Sequence, residues 1–107
     1  MEHFIREQYK CSLLAFYIKD NLVSARVFMD DEGFYEDAAT GSANGDLAAY
    51  LVENKIINNN QAEFVVQQGV EMGRPSKLYV GVKRNIDRYM IKVGGKVVLV
   101  AEGNWCI

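Results

Sequence analysis

The sequence holds little with which to bind a metal. It has one histidine and two widely separated cysteines, Cys11 and Cys106, with no CxxC or HxxxH spacing, so the ligand set of a zinc site is missing. It has no basic excess either. Twelve Lys and Arg stand against 14 Asp and Glu, for a net charge of -2, which argues against a nucleic-acid module. No apolar run reaches the roughly 18 residues of a membrane-spanning helix. The opening Met1-Glu2-His3-Phe4-Ile5-Arg6-Glu7 lacks the apolar core of a secretory signal. His3 falls in a stretch expected to fray and is given no role. The two thiols could close one large loop, but a reducing cytoplasm is the simpler setting. Neither has a basic cluster to lower its pKa, so both are expected to be reduced, as small core or interface residues.

What is present is an ordinary globular composition. Half of the 107 residues are hydrophobic and 24% are charged, enough apolar surface for one domain, 1–107, with its own core. There is no internal repeat and no linker.

Alternation predicts strands over 11–18 and 22–29, joined by a turn at Lys19-Asp20-Asn21. Val23, Ala25, Val27 and Met29 share one face of the second. After a loop, a helix is predicted over about 41–54. Ala43, Leu47 and Leu51 form one stripe with Ala48 and Val52 beside it. Few charges interrupt it, so the helix is expected to be largely buried. Thr40 is the expected N-cap. Further strands are predicted over 62–68, 77–83, 88–93 and 96–102, the last pair joined by a tight Gly94-Gly95 hairpin. A curved antiparallel sheet with one apolar helix reads as an α+β fold, the sheet barrel-like and wrapped around one central buried helix.

The start of this helix is the most informative place for chemistry. Unpaired N–H groups and positive potential gather at a helix N-terminus. Gly41 admits a ligand to that backbone, Ser42 adds a hydroxyl, and Ala43 adds a third N–H. Together they suit a carboxylate or phosphate. Asp37, just outside, could carry a proton or accept a hydrogen bond. The competing reading is that Asp37 and Thr40 cap the helix and Gly41 relieves crowding, the commoner use of such residues.

The segment Glu36-Asp37-Ala38-Ala39-Thr40-Gly41-Ser42-Ala43-Asn44-Gly45 resembles the E-D-P-A-T-G-S-A-x-G signature of the PhzF family, the phenazine-biosynthesis-like isomerases. Ala25-Arg26-Val27-Phe28, Leu47-Ala48-Ala49-Tyr50-Leu51, Gln68-Gly69-Val70-Glu71-Met72-Gly73-Arg74-Pro75-Ser76 and Val93-Gly94-Gly95 resemble further motifs of that family, in the right order. The resemblance implies one half of the diaminopimelate-epimerase-like fold: a barrel-like sheet around a helix, facing a second half across a cleft. It implies cofactor-independent proton transfer on a small carboxylate-bearing metabolite. By the resemblance, Asp37 contacts substrate and is the candidate catalytic residue, and Gly41 and Ser42 position the substrate. Arg74 has a possible substrate role, beside a structural reading in which it pairs with a carboxylate.

The related diaminopimelate epimerases and proline racemases place a catalytic cysteine near this helix start. Ala38-Ala39-Thr40 supplies none, so a cysteine-based racemase is not expected. The family's first half, with its catalytic glutamate and a histidine, has no counterpart here. A second chain is therefore expected, either another copy in a homodimer or a separate first-half partner. The alternative is a non-catalytic anion-binding or structural homodimer.

Overall fold

The computed structural model describes residues 12–30, 33–57 and 59–106, with Phe34 described by its backbone alone. The expectations for His3 and Cys11 lie outside the described residues. The elements are β1 (Leu13–Lys19), β2 (Leu22–Asp30), β3 (Phe34–Asp37), α1 (Gly41–Glu53), β4 (Gln61–Gln68), β5 (Ser76–Asn85) and β6 (Arg88–Gly95). They form an α+β structure with one six-stranded sheet in the order β1-β2-β4-β5-β6, with β3 paired to β2.

The sheet is mixed, which corrects the antiparallel expectation. β2 and β4 run parallel, with Leu22 opposite Val65 and Ala25 opposite Gln68. The chain doubles back through β3 and returns through α1, and a helical crossover of that kind brings the next strand alongside in the same direction. All other pairings are antiparallel.

Alternation places the core as expected. Val23 and Ala25 of β2, Val66 of β4 and Leu78, Val80 and Val82 of β5 meet Leu47, Ala48, Leu51 and Val52 of α1. The helix can lie close because it is thin where it meets β6: a Cβ at Gly45 would sit 3.5 Å from the Ile91 side chain. It is not buried all round, however. Ser42, Asp46, Tyr50 and Glu53 remain exposed, and the inward Leu14 and Phe16 of β1 are only half-buried. The helix packs mainly on β5 and β6, so the β1 side of the sheet is left partly uncovered.

The expected hairpin at Gly94-Gly95 does not form. Both glycines continue β6, opposite Tyr79 and Leu78, and neither has the positive φ that a primed turn requires. The turn expected between the 77–83 and 88–93 strands does form, at Ile86-Asp87, with Ile86 at φ 57°. Residues 96–106 consequently form no strand. Val97, Val98, Leu99 and Val100 lie between 73 and 91% exposed. Cys106 is a free and exposed thiol rather than a core residue. No helix among the described residues is long and apolar enough to cross a membrane.

Candidate functional site

β3 delivers Asp37 to the helix start through a three-residue link, Ala38-Ala39-Thr40. Thr40 has the extended backbone of an N-cap, φ -132° and ψ 98°, but its side chain makes no capping bond. The hydroxyl turns the other way and donates to Oδ2 of Asp37. A capping hydroxyl accepts from a first-turn N–H, and the rotamer that brings Thr40 Oγ1 to Asp37 makes no such bond, so the expected Thr40 cap does not form. Asp37 is half-buried, and its Oδ1 makes no hydrogen bond among the described residues. Gly41 and Ser42 are exposed and Ala43 is half-buried. Among the described residues no side chain caps the first turn of α1, and no acidic residue occupies it.

The link itself is held from below. Gln68, at the end of β4, is fully buried. It falls on the same inward alternation as Phe64 and Val66. Its Nε2 donates to the Asp37 carbonyl at 2.9 Å and to Thr40 Oγ1 at 3.1 Å. Its Oε1 accepts from the Thr40 N–H at 3.3 Å and from Asn44 Nδ2 at 2.9 Å. Both donors and both acceptor positions of the amide are thus in use. Asn44, also fully buried, ties back to the Thr40 carbonyl at 2.8 Å. Its Oδ1 is a buried polar atom without a partner among the described residues. The Ser76 hydroxyl donates to the Ala38 carbonyl at 2.7 Å, with the Gln68 carbonyl at 3.2 Å as a second acceptor.

The loop after β4 closes against the same link. Gly69 has φ +81°, and a Cβ there would lie 2.3 Å from the Arg74 carbonyl oxygen and 2.8 Å from that of Ala38. The Arg74 N–H donates to the Gly69 carbonyl at 2.9 Å. Arg74 is therefore near the site by its backbone, and its side chain is exposed and enters no ion pair among the described residues. Arg26 is paired. It grips Glu36 with two bonds, 2.8 and 3.2 Å, and approaches Glu71 at 3.9 Å. The Glu36 hydrogen bond pushes the Arg26 pKa above its usual value. The adjacent acids thus part company: Glu36 is bound to a strand arginine, and Asp37 faces the helix start.

Of the candidate residues, Asp37, Gly41, Ser42 and Ala43 come together at one junction. A shallow groove beside it is lined by Ser42 and Ala43 with Leu13, Val27, Thr40 and Asp46. Gln68, Asn44 and Ser76 lie within the motifs quoted from the sequence but carry no expected role there. A further signal for Gln68 is a polar residue on the inward alternation of Phe64 and Val66. Among the described residues, no group of three His, Cys, Asp or Glu is placed to hold a metal ion.

The family model PhzC-PhzF, phenazine biosynthesis-like protein, matches residues 7–103. The chain belongs to that family. Relatives are isomerases by name. The trans-2,3-dihydro-3-hydroxyanthranilate isomerase of Pseudomonas aeruginosa is 40% identical over 80 residues, 74% of this chain and 28% of that protein. An uncharacterised isomerase of Clostridium acetobutylicum is 36% identical over 84 residues, 76% of this chain and 28% of its own length. One from Deinococcus radiodurans is 35% identical over 88 residues, 79% of this chain and 29% of its own. The PhzF-like match therefore spans a little over a quarter of these relatives.

Proposed function

We propose that this PhzF-like chain is one half of an isomerase site. It would act without a cofactor, moving a proton on a small carboxylate-bearing metabolite, with a second chain completing the cleft. In this reading the sheet is one barrel-like half of the diaminopimelate-epimerase-like fold. The substrate carboxylate lies at the N–H groups of Gly41, Ser42 and Ala43, and Asp37 takes or gives the proton. The observation that carries the reading is the turn of the Thr40 hydroxyl toward Asp37. That bond fixes the carboxylate through Oδ2, leaves Oδ1 for a substrate proton, and leaves the helix start uncapped. The isomerase names of the relatives supply the reaction class. Arg74 is retained only as a residue whose exposed side chain a second chain or substrate could engage.

A second reading is a non-catalytic anion-binding protein, in which the uncapped helix start holds an anion and Asp37 moves no proton. Asp37→Asn separates the two. The amide oxygen can still accept from Thr40, so the fold should be kept. The isomerase reading expects no turnover of trans-2,3-dihydro-3-hydroxyanthranilate, with or without a first-half chain, where the unsubstituted protein turns it over. The binding reading expects no turnover by either protein and unchanged affinity for small carboxylates. In either case Ser42→Ala should weaken carboxylate binding by about 0.5–1.5 kcal/mol, the net value of one hydrogen bond. Isothermal titration with anthranilate measures it, and an unaltered affinity would remove Ser42 from the site.

A further inference from the structure

We propose that residues 97–101 form an exchanged strand that pairs with the free edge of β1 in a second copy of this chain. The first observation is the strand that has no sheet. Val97, Val98, Leu99 and Val100 are 87, 73, 76 and 91% exposed, yet all four are apolar and three are β-branched. In β6 the inward residues alternate through Tyr89, Ile91 and Val93. Carried onward, that alternation puts Val97 and Leu99 on one face and Val98 and Val100 on the other. A strand apolar on both faces is one meant for burial on both, and open water satisfies neither.

The second observation is an edge that has no strand among the described residues. β1 is terminal in the sheet they form, so one row of its N–H and C=O groups is available to a pairing strand. Beside that edge runs an apolar groove between β1 and α1, lined by Leu14, Phe16, Ala43, Leu47 and Tyr50 with Asp46. Its floor is the uncovered side of the sheet described above.

The occupant follows from the topology. Residues 97–101 leave the sheet from β6, the terminal strand opposite β1, with three strands between. At about 4.8 Å per strand, that is roughly 19 Å across the sheet, and within one chain the segment stays exposed. Each copy offers one unpaired strand and one unpaired edge. A two-fold pair satisfies both at once with no third component, and reciprocal exchange of an identical element is a low-cost route to such a pair. This assembly depends on the surface of the chain and not on the isomerase reading.

The test uses light scattering and hydrogen exchange on the whole chain at micromolar concentration. The unsubstituted protein is expected to show a two-chain mass and slow exchange at the β1 amides. Leu99→Asp places a charge on a residue already exposed in the single chain, so folding should be retained. It is expected to give a one-chain mass, a circular dichroism spectrum like that of the parent, and β1 exchange faster by about tenfold or more. Phe16→Ala, in the groove, is expected to weaken the same assembly from the acceptor side. A clean monomer for the unsubstituted protein overturns the proposal, and so does a Leu99→Asp dimer. A dimer lost on substitution without any change at β1 also overturns it, because the segment would then dock elsewhere. Protection of 97–101 that appears only on adding a separate chain would assign the segment to a different partner and overturn it equally.

Discussion

Gly69→Ala is expected to destabilise the protein by about 3–5 kcal/mol, combining left-handed backbone strain with a steric clash. Gly69 sits at φ +81°, and the new Cβ would fall 2.3 and 2.8 Å from two carbonyl oxygens. Those carbonyls belong to Arg74 and Ala38, so relief of the clash must move either the Gly69–Arg74 turn or the link that carries Asp37. Gly73 is the matched control. It has φ +73° but nothing within 4 Å of a Cβ, so Gly73→Ala should cost only the strain, about 1 kcal/mol. Urea unfolding of the two variants isolates the contact. Equal losses would show that the loop yields and that the close packing of the two motifs is unimportant.

Gln68→Ala is expected to cost about 3–5 kcal/mol, since it removes a buried amide and strands its partners. The Thr40 N–H, the Asp37 carbonyl and the Thr40 hydroxyl each lose a bond to Gln68. For a domain near this size the melting temperature should fall by roughly 12–25 °C. Gln68→Glu is the sharper variant. It is nearly isosteric, but a carboxylate cannot donate to the Asp37 carbonyl or to Thr40 Oγ1, and a buried charge adds its own penalty. It should be at least as damaging as alanine. Gln67→Ala, on the opposite face of β4, should change stability by less than about 1 kcal/mol. A Gln68→Glu protein as stable as its parent would show that volume alone, and not the hydrogen-bond pattern, matters at this position.

Much of the fold could be read from alternation. The β1–β2 hairpin, the helix from Gly41 and the inward Leu78, Val80 and Val82 all follow from local pattern. The parallel β2–β4 pairing could not be read that way, because it joins residues more than 40 apart in sequence, Leu22 with Val65, and local pattern does not encode strand direction. β3 was missed because Phe34-Tyr35-Glu36-Asp37 is four residues long and its last two are acids that strand propensity disfavours. Gly94-Gly95 misled for a physical reason: glycine permits a positive φ without requiring one. At the site, the motif drew attention to Asp37 and Gly41-Ser42-Ala43. Its support was hidden because capping rules treat Thr40 alone, whereas its hydroxyl is oriented toward Asp37 and Gln68, 28 residues on, holds its backbone N–H.

The central claim is that the uncapped helix start beside Asp37 receives a small carboxylate. The most direct measurement is a titration of isotope-labelled protein with anthranilate, followed at each backbone amide. The account predicts saturable shifts that are largest at Gly41, Ser42 and Ala43, with the same midpoint at all three. Saturable shifts confined to other residues, or none at these three amides at millimolar ligand, would contradict it.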